Sequence, residues 1–350
     1  MKLGIAMPWA NPQVRVPVER VLRAEALGYD TVWSAEIYGQ DAITPLAYLA
    51  AHTRRIRLGT AVIQAAARTP AATAMAMATV DQLAGGGRVI IGIGLSGPQI
   101  VEGWYGQPWG SPNARLRDYV SIIKKVLARE EPVVHEGQEI RIPYQGPGAS
   151  GLGKPLKSVL HPNPNIPIYL GTGAPANVKL TAEIADGWLP MGYNPETQHT
   201  YRPWLDEGFA RTGGERGYAD LSIQAGCQVI VTDDVKAGLA SLKPFLGFYV
   251  GGMGAKGQNY HKDMMARRGF PEAAERVQEL FLSGRRAEAF EAVPDEYVDQ
   301  GALIGPRARI AERFRAWQDL GVAGLTIHGE QDEALELMAD LAGTRGGDAG

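Results

Sequence analysis

The side chains able to do chemistry in this sequence are few. Glu36 closes the run Trp33-Ser34-Ala35-Glu36 just after a candidate strand. A carboxyl group there can orient a substrate or pass a proton; a solvated loop acid or a helix-capping partner is an equal reading. Gly92-Ile93-Gly94-Leu95-Ser96-Gly97 matches G-x-G-x-x-G after a strand, the arrangement that brings backbone amides close to a pyrophosphate. That fingerprint also demands an acidic residue about 20 positions later, at the end of the next strand. Arg117 and Asp118 occupy the region instead, inside an amphipathic helix, and several strand–helix units precede the motif. A standard dinucleotide-binding domain is rejected, and the glycines are read as a strand-end ligand loop. Cys227 is the sole cysteine, and no Cys/His cluster has zinc-site spacing. His161, in a Pro- and Asn-rich run, has no ligand partner at useful spacing and reads as a loop residue.

These residues need elements to hold them, and the chain alternates apolar runs with helical periodicity. Strands are expected at Lys2–Met7, Thr31–Trp33, Ile56–Thr60, Arg88–Gly92, Ile166–Leu170, Gly187–Leu189, Ser222–Val231 and Val322–Ile327. Helices are expected near Val16–Leu27, Ile43–Thr53, Pro70–Leu83, Arg115–Arg129, Ala174–Ala185, Val235–Leu246 and Arg307–Leu320. Pro70 suits a first helical turn; Tyr119, Ile122, Ile123 and Val126 share one apolar face. The sum is a modified TIM (β/α)8 barrel of one domain over residues 1–342, with insertions near 132–164 and 249–294 at the strand-end face. Residues 343–350 read as a flexible tail. In such a barrel ligands sit at the carboxyl ends of the strands, after Trp33, Thr60, Gly92 and Leu170.

Composition narrows the function. Across 350 residues, 35 basic and 38 acidic side chains leave a net charge of −3, so a broadly nucleic-acid-binding surface is not expected. Pro8 falls too early for a secretory apolar segment, and no apolar run reaches the roughly 18 residues of a membrane helix. A cytoplasmic protein without membrane partners is expected.

Leu58 through Gly94, LGTAVIQAAARTPAATAMAMATVDQLAGGGRVIIGIG, resembles the bacterial luciferase-like oxidoreductase superfamily (luciferase-like monooxygenases). Ser96–Gly106, SGPQIVEGWYG, is similar to its branch using coenzyme F420, as are Gly146–Ser158 and Ile168–Pro190. The Gly85-Gly86-Gly87 run is one residue longer than the usual family turn. The resemblance implies a TIM-like barrel carrying F420, a deazaflavin that exchanges a hydride through a ring carbon and avoids one-electron and oxygen chemistry. It implies a homodimer acting on a small or peptide-borne substrate, as a reductase of an activated C=C, C=N or C=O bond. The alternatives are an FMN-dependent monooxygenase on the same barrel and a non-catalytic deazaflavin-binding protein.

The resemblance also assigns residues. Glu36 matches an acidic position near the deazaflavin, but Ile37 stands where the family often has His, so a His-dependent mechanism does not carry over. Ala61-Val62 matches a non-proline cis peptide behind the ring, and Gln64 on the same loop can reach a ring carbonyl. Gly94, Ser96, Gly97 and Gln99 surround the cofactor's polar side, with simple turn formation as the alternative. Gly171, Thr172, Gly173 and Ala174, with Asn177 in the first helical turn, direct amides at the cofactor phosphate or form a generic turn. Lys154, Lys157 and Lys179 are candidate partners for an acidic tail. Tyr38 and Tyr249 are candidate substrate contacts. Trp104 and Tyr105 form a pocket wall or close the core, and Gly247–Gly254 shapes a substrate loop or packs a helix.

Overall fold

The computed structural model describes residues 1–8, 12–254, 257 and 259–345. The end of the expected tail, 346–350, lies outside the described residues. The chain groups into two compact units, residues 4–189 with 204–224, and residues 1–3, 190–203 and 225–350.

The first unit runs through β1 (Lys2–Ala6), α1 (Val18–Ala26), β2 (Thr31–Ser34), α2 (Ile43–His52), β3 (Arg57–Thr60), β4 (Ile63–Gln64) and α3 (Pro70–Leu83). It continues through β5 (Val89–Gly94), α4 (Pro98–Val101), α5 (Pro112–Ala128), β6 (His135–Glu136), β7 (Arg141–Ile142), β8 (Ile168–Gly171), α6 (Pro175–Ile184) and β9 (Gly187–Trp188). After α7 (Gln198–Ala210), β10 (Ser222–Val231) leads into the second unit. There follow α8 (Val235–Gly252), α9 (Tyr260–Arg267), α10 (Pro271–Leu282), α11 (Arg286–Glu291) and α12 (Asp295–Gln300). β11 (Ala302–Gly305), α13 (Arg307–Gln318), β12 (Gly324–His328) and α14 (Asp332–Ala342) complete the order.

Eight strands follow one another as β10-β12-β1-β2-β3-β5-β8-β9, and β9 pairs with β10 to close the ring. The pairs β1–β2, β2–β3, β3–β5, β5–β8, β8–β9 and β9–β10 are all parallel. β11 adds to the edge of β10, and β4 pairs with β5. This is a modified TIM barrel.

Local chemistry explains the elements. Thr69 caps α3 by accepting from Ala72 N at 3.3 Å, with Pro70 in the first turn. α5 buries Tyr119, Ile122, Ile123 and Val126 and stops where Arg129 turns left-handed at φ 52°. The glycine run after α3 takes positive φ throughout, which L side chains resist. Asp81 ties that turn down, accepting from Gly87 N, Arg88 N and Val89 N at 3.0–3.2 Å. The 132–164 insertion holds the β6–β7 hairpin, moored by buried Asp118. Its carboxylate accepts from Glu139 N and Ile140 N at 2.8 and 3.0 Å and lies 3.1 Å from His135 Nε2.

The interior of the first unit is filled by rings laid over glycines. A Cβ at Gly4 would fall 2.8 Å from Trp33 Nε1, and one at Gly59 2.3 Å from Trp33 Cζ3. Tyr169 covers Gly187 in the same way, at 2.4 Å. Trp33 and Tyr169 lie 6.0 Å apart between centroids and share a buried cluster with Ile90, Ala61 and Leu189.

The second unit corrects one expectation. α8 continues to Gly252, so Gly247–Gly252 is helix rather than a substrate loop. Gly247 seats Phe290, and Gly251 and Gly252 seat Phe281, where a Cβ would fall within 2.4–2.7 Å of those side chains. The rest of the expected insertion is α9–α11 around a core of Val250, Met265, Val277 and Val293.

Gly59→Ala should cost about 1–3 kcal/mol, the scale of overpacking a filled interior. The cost should shrink when Trp33→Phe is added, because the clash is with the indole. Urea unfolding of the single and double variants measures both.

Candidate active site

The strand ends of the first unit are shaped by a register shift. β3 pairs with β5 through Gly59↔Ile90, and the ladder resumes with β4 at Ile63↔Ile93. Four steps on one strand face three on the other, so residues 60–62 carry one extra residue, a β-bulge. Thr60 spans the gap with its side chain: its hydroxyl accepts from Gly92 N and donates to Gly92 O, both at 2.8 Å. Gly92 is obligatory there, since a Cβ would fall 1.7 Å from the Thr60 carbonyl oxygen. Ala61-Val62 is the cis peptide bond expected of this segment. The bulge is tied to the end of β2 by Ala61 N donating to Ser34 O at 2.7 Å and Glu36 N to Val62 O at 3.2 Å.

Val62 is wedged between two glycines. A Cβ on Gly94 would fall 2.4 Å from Val62 Cγ2, and one on Gly171 2.8 Å from Cγ1. Gly94 and Gly171 thus have a reason for lacking side chains that neither turn formation nor ligand approach supplies: they seat Val62. Ser96 takes φ 58° and is exposed, like Gln99, while Gly97 precedes the short α4.

Glu36 is 7% exposed and held from several sides. Arg68 NH1 donates to both carboxylate oxygens, at 3.1 and 2.8 Å, while NH2 reaches Asp41 Oδ1 at 2.8 Å. Gln64 N points at Glu36 Oε2 at 3.4 Å, and Gln64 Nε2 donates to the Glu36 carbonyl at 2.9 Å. Burial alone would lower the Arg68 pKa; the hydrogen bonds and charge of Glu36, with the charge of Asp41, outweigh it and leave it raised. Tyr119 donates to the Arg68 carbonyl at 3.2 Å and meets Thr73 Oγ1 at 2.5 Å. Tyr105 donates to Ile37 O at 3.1 Å. Burial, with the Glu36 charge adding to it, pushes the Tyr105 phenol up to about 12, so it is a donor at neutral pH. Arg68 and Asp41 are the residues that sequence reasoning missed. Arg68 stands 32 positions from Glu36 with no periodic relation to it.

The other candidates fall in distinct places. Tyr38 (48% exposed) and Trp104 (63%) lie 6.4 Å apart between ring centroids, so Trp104 does not close the core. At the start of α6, Gly173 N donates to Asn177 Oδ1 at 3.2 Å, and Thr172 Oγ1 meets Thr181 Oγ1 at 2.6 Å. No side chain caps this helix at Ala174. Lys179 is ion-paired with Glu207, and Lys157 donates to Glu130 O at 2.7 Å. Lys154 is exposed, and the His161 carbonyl accepts from Gln82 in a loop. Tyr249, in the second unit, is buried within α8 against Phe245, Phe248 and His261, a packing position.

A closed barrel with a bulge at the end of its third strand and a buried carboxylate beside it defines a class. The family model for luciferase-like monooxygenases matches residues 1–324. The chain belongs to the luciferase-like monooxygenase family. Over 343 residues it is 47% identical to a Mycobacterium tuberculosis protein provisionally assigned as a coenzyme F420-dependent oxidoreductase, covering 97% of this chain and 99% of the relative. It is 27% identical over 325 residues to a 5,10-methylenetetrahydromethanopterin reductase of Archaeoglobus fulgidus, covering 90% and 91%. The F420-dependent tetrahydromethanopterin reductase of Methanopyrus kandleri shares its fold, with TM-score 0.78, 22% identity and 97% of each chain covered. Among the described residues no helix is long and apolar enough to cross a membrane.

Arg68→Leu should cost about 1–3 kcal/mol. That is less than the 3–5 kcal/mol of a fully buried pair, because the Arg68 side chain is 23% exposed and partly screened. Chemical denaturation of Arg68→Leu alone and with Glu36→Gln tests the coupling, which should make the double variant less costly than the sum.

Proposed function

We propose that this chain is an F420-dependent oxidoreductase that transfers a hydride between F420/F420H2 and a small or peptide-borne organic substrate. In this reading it works as a reductase of an activated C=C, C=N or C=O bond, as a cytoplasmic homodimer. The observation that carries the reading is the 47% identity, over 97% of the chain, to a relative named for coenzyme F420.

The residues present fit such a group. Val62, fixed by Gly94 and Gly171, offers an apolar surface at the strand ends. The α6 N-terminus lacks a side-chain cap, leaving the positive end of its dipole for a phosphate. The buried Gln64 Oε1 has no donor from the protein. When bound, F420 supplies a ring carbon that gives or receives the hydride.

The protein's own work is to bind, orient and handle a proton. Gly171–Ala174 and Asn177 hold the phosphate side; for this, Asn177 Oδ1 yields the Gly173 amide it occupies in the free chain. Gly94, Ser96, Gly97 and Gln99 flank the ligand from the neighbouring strand end. Glu36 is the proton-handling group: Arg68 fixes the carboxylate, which takes a proton from a substrate hydroxyl on oxidation and returns it on reduction. Tyr38 and Trp104 present exposed rings for the substrate's apolar part.

Purified protein should consume F420H2 without oxygen in a screen of enones, imines, ketones and dehydroamino acids. Product formed only with FMNH2 and only in air would overturn the reading in favour of a flavin monooxygenase. Gly173→Val should weaken F420 at least about tenfold, the scale of one lost charge-assisted hydrogen bond. The phosphate-free deazaflavin fragment should bind within about twofold of wild type, since its contacts lie elsewhere. Equal weakening of both ligands, in a variant that melts normally, would remove the phosphate assignment.

A further inference from the structure

Gln64 is 5% exposed, and the orientation of its amide is set by a single contact. Nε2 donates to the Glu36 carbonyl at 2.9 Å. That partner can only accept, so the nitrogen must face it and the oxygen must face away. Oε1 is buried and meets no donor. Two of the adjoining backbone amides are spent elsewhere: Ala65 N on Gly94 O at 3.0 Å, and Ala67 N on Gln64 O at 3.0 Å. A buried carbonyl left without a donor is an unfavourable state that a bound ligand can relieve.

The location indicates what kind of ligand. Gln64 pairs in register with Gly94, two residues after the Val62 side chain that Gly94 and Gly171 confine. We infer that Gln64 Oε1 is a hydrogen-bond acceptor for the ring imide N–H of the bound deazaflavin. The residue was expected to reach a ring carbonyl; the committed Nε2 reverses that polarity. Gln64 therefore reads the one donor between the two carbonyls of the imide edge, and so fixes which end of the ring lies at the bulge. This inference rests on the deazaflavin reading of the site.

The test uses the phosphate-free deazaflavin ring compound, labelled with nitrogen-15 at the imide position, bound to the full chain. In wild type the imide N–H should appear as a distinct proton resonance protected from solvent exchange. In Gln64→Met that protection should disappear, and the ring compound should bind about three- to tenfold more weakly, the range for one hydrogen bond. If the imide proton of the wild-type complex exchanges as fast as in the free ligand, the assignment is wrong while the deazaflavin reading stands. If the wild-type chain binds neither the ring compound nor F420, that reading falls and takes the assignment with it. The wild-type measurement decides the matter even if Gln64→Met does not fold.

Discussion

A ring can lie across the inside of a narrow barrel only where the facing positions carry no side chain, and the first unit is built on that exclusion. Trp33 spans Gly4 and Gly59, Tyr169 lies over Gly187, and Val62 sits between Gly94 and Gly171. Close packing makes each pairing two-sided, because the glycine is there for the side chain laid over it and that side chain, ring or branched methyls, fills what the glycine leaves. The site inherits its rigidity from this arrangement. The bulge that presents Val62 ends a strand whose Gly59 is pressed against Trp33, and the loop bearing Glu36 leaves β2 one residue after that tryptophan, at Ser34.

Much of the frame was legible in the sequence. α3 and β10 run where the residue pattern placed them, because Pro70 marks a helix start and Ser222–Val231 carries no charged residue or proline and ends in the β-branched Val229-Ile230-Val231. α5 shows the expected buried face but begins earlier, at Pro112. The glycines were harder to read. In α8 they were read as a substrate loop or as helix packing, and they are helical seats for Phe281 and Phe290, a tertiary demand with no local mark to decide between the two. The helices of 260–300 were not read: α9, α11 and α12 span only eight, six and six residues, too few to show a clear period, while the regular buried face of α10 (Ala274, Val277, Gln278) was passed over.

The candidate site divides the same way. Glu36, the Ala61-Val62 bond and Gln64 lie in segments whose family resemblance marked them. Arg68 lies in the same Leu58–Gly94 block as Gln64, but nothing local linked it or Asp41 to Glu36, since the ion pairs join two loops 27 to 32 residues apart. Nor could the sequence reveal which half of the Gln64 amide is spoken for, or that Lys179 is already paired with Glu207. Residue type announces a capacity to bond, and only the fold decides whether that capacity is spent internally.

Thr60 separates two duties that a strand residue normally performs together. Its hydroxyl keeps Gly92 satisfied on both its N–H and its C=O, so its own backbone is released from pairing with β5, though still in register with Ser34 of β2, and can turn into the bulge. The sheet therefore stays sealed beside the site while the main chain there follows a different course. In hydrogen-exchange terms, the Gly92 amide reports on a side-chain clasp rather than on strand pairing, and its opening can be as local as one χ1 rotation at Thr60.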